Sequence, residues 1–133
     1  MLKHKQLKHK HLVVRCECSL PPVAPRTVTL WTRSLIESIG MKIMMGPYAA
    51  YCDTVGNRGV TCCAVIETSH VAVHVWDETA PSVIQLDVYS CSDFAVEDIL
   101  DHLQQFEPVK VDYKFLDRDT GLREISHRNT LDQ

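Results

Sequence analysis

The sequence predicts an α+β fold, an antiparallel sheet with helices on one face, and three observations predict it. Alternation in 70–76 sends Val71, Val73 and Val75 to one side and His70, Ala72, His74 and Trp76 to the other. The next run repeats the pattern, with Ile84, Leu86 and Val88 opposed to Gln85, Asp87, Tyr89 and Cys91, and a seven-residue link containing Pro81 joins the two as an antiparallel pair. These central strands follow one another without crossover helices, which excludes a doubly wound parallel sheet.

The elements follow in order. A strand is expected over 11–18, then a turn at Pro21, Pro22 and Pro25. The helix expected over 27–39 places Val28, Trp31, Leu35 and Ile39 at helical spacing, facing the sheet, and Gly40 ends it. A strand near 41–45 follows, then a turn at Gly56-Asn57-Arg58-Gly59 and strands over 60–67, 70–76 and 83–90. A second amphipathic helix over 94–106 turns Val96, Ile99, Leu100 and Leu103 inward, and a strand near 109–115 closes the sheet. One domain over 1–133 is expected, with a basic lead-in over 1–10 and a flexible tail over 127–133.

Composition narrows the function. The chain has 133 residues, 45% hydrophobic and 23% charged, enough for a single core but marginal for an independent enzyme pocket, so association is expected. A net charge of -3 gives no global footprint for nucleic acid. The amino terminus is basic but carries no long apolar segment, so neither a secretory signal nor a membrane span is expected, and the reading is cytoplasmic. The six cysteines, at 16, 18, 52, 62, 63 and 91, fit neither zinc-pair nor disulfide spacing and read as reduced thiols, Cys62 and Cys63 being structural.

The polar face of 69–78 is the candidate site. Alone, each residue has a plainer reading: strand histidines satisfied by neighbours, Ser69 ending a strand, Cys91 a small buried hydrophobe, Trp76 and Tyr89 packing residues. No metal is expected, because His70 and His74, four apart on a strand, sit about 13 Å from each other.

In sequence order, Gly59-Val60-Thr61, Ser69, His74 five residues later, Trp76, Glu78 and then Asp87-Val88-Tyr89-Ser90-Cys91 resemble the bacterial-type S-adenosylmethionine decarboxylase proenzymes, from about residue 11 to 122. The resemblance implies cleavage between Thr68 and Ser69 and a pyruvoyl group generated from Ser69, the electron sink for decarboxylation. It gives His74 and Thr61 roles in processing, Cys91 the role of proton donor to the decarboxylated substrate, and Trp76 and Glu78 contacts to adenine and ribose. It further implies a small-molecule substrate, polyamine synthesis, and a homodimer of processed protomers whose sheets face each other as an αββα sandwich. The chain departs from the pattern at Thr61 in place of serine, Thr68 in place of glutamate, Asp77 in place of proline, Val55 in place of a second aromatic ring, and two extra residues between Trp76 and Cys91. Two alternatives remain: the same machinery acting on ornithine or arginine, and an unprocessed, non-catalytic partner subunit.

Overall fold

The computed structural model describes residues 8–67 and 69–132, so the expected lead-in up to residue 7, Thr68 and Gln133 lie outside the described residues. The elements are β1 (Lys10–Cys18), α1 (Pro25–Ser38), β2 (Ile43–Cys52), β3 (Gly59–Ile66), β4 (Ser69–Trp76), β5 (Ser82–Ser90), α2 (Val96–Leu103), β6 (Pro108–Asp117) and β7 (Arg123–Arg128), with 3-10 turns at Gln104–Phe106 and Thr130–Asp132. All seven strands join one sheet in the order β2-β3-β4-β5-β1-β6-β7, and every pair is antiparallel. The first strand is therefore inserted between β5 and β6, and β5 is central.

Period-two patterning decides which face is covered. Leu12, Val14, Cys16, Val60, Cys62, Ala64, Val71, Val73, Val75, Ile84, Leu86 and Val88 are all buried beneath the helices. Helix α1 adds Val28, Trp31, Leu35 and Ile36, and α2 adds Val96, Ile99 and Leu103, as their spacing requires. Pro25 starts α1 where a missing N–H costs nothing. Gly40, at φ +71°, ends it with its N–H on the Glu37 carbonyl. Polar groups within the core are matched: the Trp31 indole donates to the His102 carbonyl at 2.8 Å, and Thr32 Oγ1 lies 3.6 Å from Cys62 Sγ.

The structure departs from the sequence reading at both sheet edges. Strand β2 runs on to Cys52, seven residues past its expected end, with register shifts around Met45 and Tyr48 that absorb Gly46-Pro47. Residues 127 and 128, expected in a flexible tail, complete β7: His127 pairs with Lys114 and Arg128 with Tyr113, and the Thr130 N–H then donates to Asp112 at 2.6 Å. The expected helix over 94–106 begins at Val96; Phe94 instead packs edge-on against Phe115 at 5.4 Å. The helix-free face carries His11, Thr61, Cys63, His70, His74, Trp76, Gln85, Asp87 and Tyr89; of the expected site residues it holds Thr61, His74 and Trp76, while Ser69 and Cys91 lie at strand ends and Glu78 lies past β4.

Candidate active site

The helix-free face and the strand ends beside it bring the expected residues together in two groups. The first lies where β4 begins and β5 ends. Ser69 opens β4 opposite Ile66, and the pairing of His70 with Tyr89 carries the end of β5 alongside it. The backbone N–H of Cys91 donates to Ser69 Oγ at 3.1 Å, and the carbonyl of Cys91 accepts from Lys8 at 2.9 Å. The Cys91 side chain is buried. A serine oxygen held by a main-chain donor keeps its own hydrogen free to be given away. Thr68, the other half of the expected cleavage bond, lies outside the described residues.

The second group lies at the other end of β4. Register places Thr61 directly across from His74, with Oγ1 and Nδ1 3.3 Å apart. His74 stacks on Trp76 with ring centroids 5.8 Å apart and planes 26° apart. The indole N–H of Trp76 donates to Asn57 Oδ1 at 2.8 Å. Glu78, just past the strand, accepts the N–H groups of Arg58 at 2.9 Å and Gly56 at 3.1 Å. Those two donors hold its carboxyl below the usual range.

One protomer does not join the two groups. Ser69 and His74 are five residues apart on a continuous strand, about 16 Å at the usual rise, and their parity directs them to opposite faces. Val55, the position expected to carry a second ring, is 76% exposed at the tip of the β2–β3 turn. Tyr51, the aromatic residue of β2 nearest that turn in the chain, pairs with Val60 on the helix side and donates to both Asp77 oxygens at 3.0 and 3.1 Å. Strands β4 and β5 pair without a shift from His70–Tyr89 to Trp76–Val83, so an insertion between Trp76 and Cys91 would fall outside those paired residues.

A third group was not legible in the sequence. His11 Nε2 and His70 Nε2 meet one oxygen of Asp87, at 2.7 and 3.2 Å, across the adjacent strands β1, β5 and β4. Arg118 stacks on Tyr89 at 4.3 Å and lies 3.0 Å from His11 Nδ1. Guanidinium has no acceptor, so Nδ1 of His11 is the bare nitrogen and Nε2 carries the hydrogen given to Asp87. A metal-ligating imidazole needs the reverse arrangement, so these convergent atoms form a hydrogen-bonded network rather than a ligand set. Only the β1–β5–β4 register reveals it, since His11 and Asp87 are 76 residues apart.

Comparison with known proteins identifies the family. Residues 24–119 match the family described as S-adenosylmethionine decarboxylase. The chain is 30% identical over 88 residues to the S-adenosylmethionine decarboxylase proenzyme of Archaeoglobus fulgidus, a match covering 65% of this chain and 77% of that protein. The crystal structure of the adenosylmethionine decarboxylase from Aquifex aeolicus shares the fold, with a TM-score of 0.68 at 16% identity, over 94% of this chain and 100% of that one.

Proposed function

Because this chain belongs to the S-adenosylmethionine decarboxylase family, we propose that it is a self-processing, pyruvoyl-dependent decarboxylase whose substrate is S-adenosylmethionine, used for polyamine synthesis in the cytoplasm. The observation that carries the reading is the Cys91 N–H on Ser69 Oγ, which ties the expected nucleophile to the expected proton donor at the ends of neighbouring strands.

Processing begins at the Thr68–Ser69 bond. Ser69 Oγ attacks the preceding carbonyl; a C–O bond forms, the C–N bond breaks, and the hydroxyl proton passes to the departing nitrogen. His74, polarised by Thr61, is the base that takes the Cα hydrogen of residue 69 as the ester C–O bond breaks and the carboxylate ending at residue 68 leaves, after which water replaces the nitrogen of residue 69, lost as ammonia, with a carbonyl oxygen. A pyruvoyl carbonyl at residue 69 supplies the electron sink for loss of carbon dioxide. Cys91 then returns a proton to the substrate carbon, and Trp76 and Glu78 hold adenine and ribose.

The separation of Ser69 from His74 supports an active homodimer with a shared site. Two helix-free faces laid together with their β4 strands in opposite directions bring the strand end that carries Ser69 and Cys91 of one protomer to Thr61, His74, Trp76 and Glu78 of the partner subunit, with Ser69, whose parity turns it from that face, reaching around the end of its strand. Such pairing also covers Val13, Tyr48 and Val65, exposed apolar residues of that face.

Intact mass tests the reading. The protein should separate into fragments ending at residue 68 and beginning at residue 69, the second blocked to amino-terminal sequencing; a single uncleaved species after long incubation overturns the enzyme reading and leaves a non-catalytic subunit. Ser69→Ala should abolish cleavage and carbon dioxide release, whereas Cys91→Ala should cleave but turn over at least about a hundredfold more slowly. Exposed Val55 favours a second substrate class, and release of carbon dioxide from ornithine or arginine but not from S-adenosylmethionine would select it.

A further inference from the structure

We propose that Asn57 is a positioning residue for adenosine recognition, setting the Trp76 ring at the orientation in which it receives the base; this rests on the reading of the site as an S-adenosylmethionine site. The indole nitrogen can only donate, so the partner at 2.8 Å must be the Asn57 carbonyl oxygen. The amide nitrogen of Asn57 then faces the other way, and it lies 3.7 Å from Cys52 Sγ. The main chain anchors the residue, its N–H donating to the Thr54 carbonyl at 2.9 Å. Asn57 is therefore held at both ends and in one amide orientation.

The three residues of this turn divide the work. The N–H groups of Gly56 and Arg58 hold the two oxygens of Glu78, and the side chain between them holds the ring of Trp76. One short segment thus orients both groups that would meet the nucleoside, the ring for the base and the carboxylate for the ribose. Stacking on His74 limits the tilt of Trp76, and the hydrogen bond removes the remaining rotation about its side-chain axis. Ring order matters more here than in a two-ring clamp. With Val55 exposed at the turn tip, the position expected to carry a second ring supplies none, so Trp76 must be preorganised before the substrate arrives.

The test compares Asn57→Leu, which keeps the size and removes the acceptor, with Asn57→Asp, which keeps it. Both should cleave at residue 69 as the wild type does, because the side chain of Asn57 bonds Trp76 and not the Thr61–His74 pair given to processing. Loss of one hydrogen bond of ordinary strength should raise KM for S-adenosylmethionine about fivefold with kcat within about twofold, and weaken adenosine binding to the same degree. Asn57→Asp should recover most of that loss. The indole N–H resonance of Trp76, assigned with Trp76→Phe, should shift in the leucine variant and return in the aspartate one. An unchanged KM in Asn57→Leu, or a fall in kcat at constant KM, overturns the proposal. A wild-type protein that is cleaved yet neither binds adenosine nor turns over S-adenosylmethionine overturns the substrate reading beneath it.

Discussion

At the scale of single residues, the cysteines show how one side-chain type is given different chemistry by its surroundings. Burial pushes the Cys16 thiol up to about 12 and raises Cys18 and Cys62 as well, while main-chain and side-chain hydrogen bonds from Thr54 lower Cys52. Thiolate is the reactive form, so alkylation at pH 8 should label Cys52 and spare Cys16, Cys18 and Cys62. Peptide mapping after brief iodoacetamide treatment checks this, and labelling of Cys16 at the rate of Cys52 would contradict the burial. Alternation along β4 already reveals in the sequence that His70, His74 and Trp76 share a face. What it could not reveal is partnership across strands: Thr61 with His74, Asn57 with Trp76, and His11 with Asp87 depend on register, which is set by the hairpins and the core together. Asn57 in particular reads only as turn punctuation in Gly56-Asn57-Arg58-Gly59 until Trp76 is placed beside it.

At the scale of elements, β1, β3, β4 and β5 were readable because each buries an unbroken alternating face, whereas the two edges were not. Strand β2 contains Gly46-Pro47, which breaks a strand pattern in sequence; at a sheet edge a missing N–H costs no ladder bond, and the shifted register around it lets pairing resume. Strand β7 carries a single large apolar residue, Ile125, among Arg123, Glu124, His127 and Arg128, so its face gives no period-two signal; charge is what keeps an exposed edge from pairing with other chains. The β2–β3 hairpin depends on one close approach. Gly59 has φ +149°, and a Cβ built there would lie 1.6 Å from the Val75 carbonyl oxygen. Gly59→Ala must therefore push β3 from β4 where Thr61 meets His74, and should destabilise the fold by about 3 kcal/mol or more. Urea denaturation measures this; a loss under about 1 kcal/mol would show that the hairpin can move aside at little cost.

At the scale of the whole molecule, the sheet has one face covered by helices and one carrying polar and exposed apolar groups together, an arrangement the alternating pattern foreshadowed. The consequence of strand length is separate. Five residues put Ser69 and His74 about 16 Å apart, so if both serve one reaction they must come from different chains. Complementation tests this directly. Ser69→Ala lacks the hydroxyl and His74→Ala lacks the base, and neither variant alone should be cleaved. When the two are coexpressed with different tags, a mixed dimer has one site with Ser69 from the His74→Ala chain and His74 from the Ser69→Ala chain. Only the His74→Ala chain can then be cut, and random pairing at equal expression places about half of those chains in mixed dimers. Cleavage of that chain alone, approaching half, is the expected result, read by mass after separating the tags. Absence of any cleavage in the mixture, with wild type fully processed, would confine the site to one protomer and require β4 to bend so that its two ends meet.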